Sequence, residues 1–223
     1  MMRCRELERK DKARSSAREA LLAATAIHLL PGDLLSASVP DLAAGQLAPE
    51  GKKPSKGGTL IAPAGLSERL GAGAAAARGL QAAGTDGLVL SFAQAGSVEP
   101  GWQAALDWAR QAQLPLILAC ADATGGVPSR SAKRSEPTMD YASMSRFAKR
   151  IKLPILTVDG EDAVAVYRVM QESVLRARFG GGPAVLWAVM TPLTAASPRP
   201  PRSSQPIVRL ESYMKARNIP LGR

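Results

Sequence analysis

The stretch that decides the fold is LPILTVDGEDAVAVY at residues 153–167, followed by GGGPAVLWAV at residues 180–189. The apolar run Ile155–Val158 predicts a buried strand, and the Asp-Gly pair after it predicts a turn. A helix is expected over Asp162–Arg178, because the three glycines after it are typical of a helix stop. Ala184–Val189 then predicts a second buried strand. Strand, helix and strand in this order predict two parallel strands joined by a crossover helix.

The rest of the chain repeats this alternation. Apolar runs at Leu88–Phe92 and Leu114–Cys120 predict two further strands. Because all four strands lack a polar face, they predict an α/β fold in which helices cover both sides of a parallel sheet. Such sheets place ligands at the carboxyl ends of their strands, so the loops after these strands are the candidate site. The other predicted helices span residues 15–29, 66–83 (with Ser67 as a candidate N-cap), 102–113, 141–150 and 206–217.

Composition shifts divide the chain into three parts. Residues 1–190 are expected to form the main domain, in which the Gly-, Pro- and Lys-rich segment 43–58 is a mobile loop. Residues 191–205 are rich in proline and predict an extended linker. Residues 206–223 are expected to form a C-terminal helix and a tail.

Charge and composition exclude several classes of protein. The net charge is +10, and its excess lies at residues 1–18, 130–152 and 199–223. These segments favour acidic or phosphate-bearing partners, but no aromatic side chains interleave with the charges, so nucleic-acid binding is disfavoured. No apolar run has the length of a membrane span, and residues 15–29 are interpreted as a helix rather than an export signal. Two cysteines, Cys4 and Cys120, form no disulfide framework, which favours a cytoplasmic setting.

Several short motifs, in collinear order, resemble those of one enzyme family. The chain resembles the α subunit of the E1 component of thiamine diphosphate-dependent 2-oxo acid dehydrogenases, of the pyruvate and branched-chain type. The motif Val158-Asp159-Gly160-x-Asp162 and the later Gly-Gly-Gly-Pro carry most of this resemblance. The others are Ala17–Ala20, Leu30–Asp33, Gly71–Ala74, Trp102–Ala109, Leu114–Ile117 and Gln205–Leu210.

This resemblance implies a thiamine diphosphate-binding fold, with thiamine diphosphate and Mg²⁺ as cofactors. It implies oxidative decarboxylation of a 2-oxo acid, with transfer of the acyl group to a lipoyl carrier. It also implies a partner, which would be an E1 β-like subunit or further copies of the chain in a homo-oligomer. In the family, the α chain supplies the half of the site that holds metal and diphosphate.

The positions that match the family's metal motifs carry different residues. Gly-Asp-Gly, which follows one strand, corresponds to Ala93-Gln94-Ala95, and Asn-Asn, which follows the next, corresponds to Asp122-Ala123. Gln94 and Asp122 are therefore the candidate metal and cofactor residues, but a carboxylate and an amide ligand have been lost. Mg²⁺ requires several hard oxygen ligands with compensating charge, so this motif is degenerate.

Other expected residues are missing or have ordinary explanations. The family's diphosphate-binding Tyr-Arg pair falls at Val39-Pro40, and its active-site histidines have no counterparts. His28, the only histidine, is expected to be a structural or surface residue, and no residue is assigned a catalytic role. Thr85-Asp86-Gly87 precedes its strand and is interpreted as a turn, while Cys120 is expected to be a buried thiol.

Three hypotheses about function stay open. The chain is a degenerate, non-catalytic E1 α-like subunit (a pseudoenzyme), or it is a still-active subunit with a remodelled site for Mg²⁺ and diphosphate. The third hypothesis is a basic α/β module that uses residues 130–152 to bind phosphate-rich ligands.

Overall fold

A parallel sheet forms the centre of the molecule. The computed structural model describes residues 18–37, 59–61, 65–96, 101–124, 138–192 and 205–220. Within these ranges six strands pair in the order β2-β1-β3-β4-β6-β5, and every neighbouring pair is parallel. The predicted α/β fold with a helix-flanked parallel sheet is thus confirmed. The strands are β1 (Leu34–Ala37), β2 (Thr59–Ile61), β3 (Val89–Gln94), β4 (Leu116–Asp122), β5 (Ile155–Asp159) and β6 (Ala184–Val189).

Helices cover both faces of the sheet. One hydrophobic core joins α1 and α5 to one face, and a second core joins α2, α3 and α4 to the other. Because successive side chains of a strand point to opposite faces, β3 and β4 contribute alternate residues to the two cores. The helices in the described residues are α1 (Glu19–Ala26), α2 (Leu66–Ala82), α3 (Trp102–Gln111), α4 (Tyr141–Ile151), α5 (Ala163–Arg178) and α6 (Pro206–Ala216).

Local sequence explains where several of these helices begin. The Asp162 carboxylate accepts hydrogen bonds from the backbone N–H groups of Val164 and Ala165, and so caps α5. Asp140 caps α4 in the same way. The prediction for Ser67 was wrong, because α2 begins at Leu66 and Gly65 is its N-cap. With glycine as the N-cap, no side-chain oxygen caps this helix.

Close packing of α2 on the sheet depends on one glycine. A β-carbon at Gly73 would lie 3.0 Å from Ser91 Oγ in β3 and 3.5 Å from Ser36 in β1. Gly73 thus allows a close approach of helix and sheet. Gly71, on the other hand, has no atom within 4 Å of such a β-carbon, so the close approach does not depend on this second glycine.

Two strands were not predicted from the sequence. β1 and β2 contain four and three residues, and such short runs carry too little periodicity to be distinguished from loop. β1 nevertheless pairs with both β2 and β3. The loop prediction for residues 43–58 lies outside the described residues, as do residues 193–204 of the predicted linker. The division into domain, linker and C-terminal segment therefore stays a prediction, although α6 does begin at Pro206.

A buried ion pair closes the amino-terminal edge of the sheet. Arg178, at the end of α5, donates to both carboxylate oxygens of Asp33, over 2.9 and 2.6 Å. The same carboxylate accepts from the backbone N–H groups of Leu30 and Leu88, which precede β1 and β3. Arg178 also donates to the backbone oxygen of Asp86, over 2.6 Å. Thr85-Asp86-Gly87 lies between α2 and β3, after the turn at residues 83–84, and so precedes its strand as predicted. This network joins α5 to the starts of two strands.

His28 lies beside this network and has a structural role, as predicted. Its Nε2 is 3.1 Å from the backbone oxygen of Tyr167, and the two rings are 4.5 Å apart. Burial lowers the pKa of His28, and the charge of Arg178 lowers it further. Among the described helices, none is long and apolar enough to cross a bilayer.

Candidate functional site

The two predicted site residues lie at the carboxyl ends of neighbouring strands but on opposite faces of the sheet. Gln94 ends β3 and pairs in register with Ala121 of β4, whose side chain belongs to the core beneath α1 and α5. Asp122 is one residue further along β4 and therefore points to the other face, beside Cys120 and Trp187. The sheet thus brings the backbones of Gln94 and Asp122 together and separates their side chains.

The Asp122 carboxylate is held by three internal hydrogen bonds. Its Oδ1 accepts from the backbone N–H of Thr124 over 3.0 Å and from the Thr124 hydroxyl over 2.6 Å. Its Oδ2 accepts from the indole N–H of Trp187 over 3.0 Å. Because Asp122 is only 7% exposed and Trp187 is fully buried, these bonds hold the carboxylate in one position. Asp122 thus accepts hydrogen bonds from a buried indole N–H and from the tight turn at Thr124.

Cys120 lies two residues before Asp122 on the same face of β4. It is fully buried, and burial raises the pKa of its thiol well above the usual range, with a further contribution from the Asp122 charge. A thiol in this environment stays protonated and does not act as a nucleophile. The prediction of a buried thiol is confirmed.

A second polar feature lies at the carboxyl ends of β5 and β6. An open cleft of about 420 Å³ is lined by residues 157–159, by Glu161 and by residues 189–191. Glu161 is 4% exposed, and its carboxylate accepts from the backbone N–H of Thr191 over 2.9 Å. A β-carbon at Gly160 would lie 2.9 Å from the side chain of Ala188, so only glycine fits at this turn. The motif therefore fastens the turn after β5 to the end of β6.

The C-terminal helix α6 adds a cation to this turn. Arg209 donates to Asp159 Oδ2 over 2.8 Å, and its other nitrogen lies 3.6 Å from the Asp162 carboxylate. Both partners of the shorter pair are partly exposed, so its net stabilisation is small, about 0–1 kcal/mol. The acidic residues of this turn are therefore used in turn formation, helix capping and docking of α6.

The described residues do not provide a fitting site for Mg²⁺. No group of three or more His, Cys, Asp or Glu side chains in this part of the chain is arranged to hold a metal ion. Mg²⁺ bound to a diphosphate needs oxygen ligands that converge with near-octahedral geometry. Gln94 and Asp122 do not converge, and the Asp122 oxygens already accept three hydrogen bonds. Val39-Pro40, the counterpart of the diphosphate-binding pair, lies outside the described residues.

Basic side chains near the end of α4 have a local explanation. Lys149 and Arg150 lie in its last turn, where cations interact favourably with unpaired carbonyl groups. Arg110 Nε donates to the backbone oxygen of Lys152, the residue that ends the helix, over 3.0 Å. Charges at this position are expected for helix ends and do not by themselves define a binding surface for phosphate-rich ligands.

Comparison with protein families identifies the class of this chain. Residues 55–191 match the family described as "Dehydrogenase E1 component". Because this match covers more than half of the chain, the chain belongs to that family. A search of curated proteins found no significant sequence match.

Two solved structures with a similar fold show what this chain resembles in three dimensions. One, from Mycobacterium smegmatis, is described as a thiamin diphosphate-dependent enzyme. It is 18% identical to this chain, with a TM-score of 0.56, and the match covers 81% of this chain and 33% of that protein. Another is benzoylformate decarboxylase from Polynucleobacter necessarius, 16% identical with a TM-score of 0.53 over 77% of this chain and 32% of its own. The chain thus spans about a third of the length of these proteins. Identities this low show a shared fold.

Sequence reasoning missed three residues that hold the polar groups at this edge of the sheet in place. Trp187 was recognised only as part of a strand, and Glu161 and Arg209 were not singled out. Each makes its contact with a residue at least 30 positions away in sequence. The one available signal was the carboxylate pair within the Val-Asp-Gly-x-Asp motif, whose cationic partner Arg209 lies in α6.

Proposed function

We propose that this chain is a non-catalytic member of the dehydrogenase E1 family, which contributes a thiamine diphosphate-type fold to an assembly and does not form the metal centre. The observation that carries this proposal is the Asp122 carboxylate. It is bound to Trp187 and Thr124 on the face of the sheet opposite Gln94. The assembly would include an E1 β-like subunit or further copies of the chain, in a cytoplasmic setting.

Recruiting Asp122 to a metal ion would be costly. Turning its carboxylate away would leave the indole N–H of Trp187 buried and without a partner, which costs about 1–3 kcal/mol. The Thr124 turn would lose two hydrogen bonds as well. The neutral amide of Gln94 cannot replace the charge of a second carboxylate. These costs support a site that does not bind Mg²⁺ and diphosphate.

A second candidate function is favoured by one observation, which is that β3 and β4 are neighbours and end side by side. Under this alternative, a rearranged Gln94 or Asp122 would bind Mg²⁺. The complete assembly would then carry out the thiamine diphosphate-dependent decarboxylation of a 2-oxo acid, with acyl transfer to a lipoyl carrier. Bound thiamine diphosphate would supply the carbanion chemistry.

Calorimetric titration distinguishes the two candidates. The purified chain is titrated with thiamine diphosphate in the presence of Mg²⁺, alone and with a co-encoded β-like chain, and the control omits Mg²⁺. The non-catalytic proposal predicts no Mg²⁺-dependent heat up to millimolar cofactor, while the two chains still co-purify. Micromolar, Mg²⁺-dependent binding that is lost in Asp122→Asn would overturn the proposal and establish a remodelled site. Thermal unfolding of Asp122→Asn must show that this variant is folded.

A further inference from the structure

The outward side of α5 carries an unusual mixture of apolar and charged side chains. Leu175 is 49% exposed and Phe179, directly after the helix, is 85% exposed. Arg168, Glu172 and Arg176 lie on the same exposed side. We call these five residues the α5 face. It lies along the half of α5 that leads to the amino-terminal edge of the sheet, away from the carboxyl ends where Gln94 and Asp122 lie.

The two apolar side chains of the α5 face form a pair. Leu175 and Phe179 are four residues apart, which makes them neighbours on a helix surface. A single exposed apolar residue is common on protein surfaces and needs no explanation. Two large ones side by side, on a helix whose opposite face is already buried in the core, leave apolar area that association could remove from water.

The charges of the α5 face alternate along the helix. A carboxylate, Glu172, lies four residues from a guanidinium on either side, Arg168 and Arg176. Within the described ranges, the structure shows no ion pair for any of the three. These charges match an antiparallel copy of the same helix that is shifted along its axis, so that the two-fold axis lies midway between Glu172 and Arg176. Each carboxylate then faces a guanidinium group of the other copy.

We propose that the α5 face binds a second copy of this chain, through antiparallel packing of two α5 helices about a two-fold axis near residue 174. In this arrangement Glu172 of each copy lies opposite Arg176 of the other, which gives two equivalent ion pairs. Leu175 packs against its own counterpart beside the axis. Phe179 lies close to Arg168 of the other copy, where a cation can contact the face of an aromatic ring.

Self-complementarity is the reason for choosing a second copy as the partner. A two-fold interface uses the same patch on both molecules, so each contact between residues i and j must occur twice. The α5 face satisfies this requirement with a single carboxylate, whereas a different partner for a chain of net charge +10 would be expected to present mainly acidic residues. Because one pair of helices is a small interface, the dimer is expected to be weak, in the micromolar range.

This proposal is tested by sedimentation equilibrium of the full chain over about 1–500 μM, a range that includes micromolar affinities. A reversible monomer–dimer equilibrium is expected. Arg176→Glu and Glu172→Arg should each weaken the dimer by about tenfold or more, since like charges then oppose each other twice. The double variant Glu172→Arg with Arg176→Glu keeps the net charge and restores both ion pairs, so it should regain dimerisation.

Control variants separate the interface from general effects. Arg146→Glu, on the exposed side of α4, changes the net charge as much as Arg176→Glu and should leave the dimer intact. Phe179→Ser should weaken the dimer while circular dichroism and the melting temperature show a folded chain. A chain that stays monomeric throughout, or a double variant that does not recover, would overturn the proposal. The proposal also fails if these substitutions abolish binding of a β-like chain without changing self-association. None of these results depends on cofactor binding.

Discussion

Replacing the buried Asp33 with alanine should destabilise the protein more than the same change at an exposed carboxylate on this edge of the sheet. The side chain of Asp33 is 1% exposed and that of Arg178 is 11% exposed, so their ion pair is buried. The two oxygens of Asp33 accept four hydrogen bonds, two from Arg178 and two from the backbone N–H groups of Leu30 and Leu88. Asp33→Ala leaves a buried guanidinium without its counter-charge and two backbone donors without that acceptor.

The expected loss follows from these contacts. Breaking a buried ion pair by removing one partner costs about 3–5 kcal/mol. We therefore expect Asp33→Ala to lower the free energy of unfolding by about 4 kcal/mol. Urea denaturation followed by circular dichroism measures this value, and linear extrapolation gives the difference from the original chain.

A matched control and a double variant make this test specific. Asp86→Ala is the same chemical change on the same edge, but the Asp86 side chain is exposed and only its backbone oxygen contacts Arg178. Its effect should stay within about 0.5 kcal/mol. Asp33→Ala combined with Arg178→Ala should cost less than the sum of the single changes, because no charge is then left unpaired. A loss below about 1 kcal/mol for Asp33→Ala would refute the reasoning, since that is the range of an exposed pair.

Three further predictions concern single positions. Gly160→Ala should lower the free energy of unfolding by about 1–3 kcal/mol, because its β-carbon would lie 2.9 Å from a side chain of β6. Gly71→Ala, in an open part of α2, should raise it by about 0.5–1 kcal/mol, and urea denaturation of both variants checks the contrast. In a Cys4→Ser background, Cys120 should react with a thiol reagent at pH 8 only after unfolding, because burial raises its pKa; rapid reaction of the folded chain would contradict this. The pKa of His28 is lowered mainly by burial. The neutral His28 side chain therefore contributes fully to stability above its ordinary pKa of 6.5. Below that value the unfolded chain takes up the proton first, so this contribution decreases as the pH falls. His28→Gln should reduce this pH dependence, and a ring titration by nuclear magnetic resonance at or above 6.5 would disprove the lowered pKa.

Local sequence was sufficient for most of the architecture. The apolar runs that became β3, β4 and β6 were recognised because a strand buried on both faces has few polar positions. Ile155–Val158 was also recognised as a strand, but its predicted burial was wrong, because β5 is the edge strand and only Val158 in it is buried. The glycines after Arg178 marked a helix end, and two of them, Gly180 and Gly182, have positive φ angles of 76° and 78°. The family was also evident from motifs in collinear order. These features depend on a few consecutive residues, which is why a single sequence reveals them.

Short elements and N-caps were harder to predict. β1 and β2 together contain seven residues (four and three), and their place in the sheet depends on pairing with strands elsewhere in the chain. Ser67 was a reasonable N-cap by residue type, yet the helix begins one residue before it. For β1 and β2, neighbouring strands rather than local preference determined the outcome.

The sequence by itself therefore determined the order of the helices and of four of the strands in the described residues, the two-sided burial of the central strands and the positions where family motifs have changed. Only the tertiary structure decided what those positions do. Gln94 and Asp122 follow neighbouring strands, but the register of β3 and β4 turns their side chains to opposite faces. Trp187, 65 residues from Asp122, takes up one of its oxygens, and Arg178, 145 residues from Asp33, neutralises a buried carboxylate. Register and pairing over such distances arise when the sheet assembles, because they depend on which strands become neighbours.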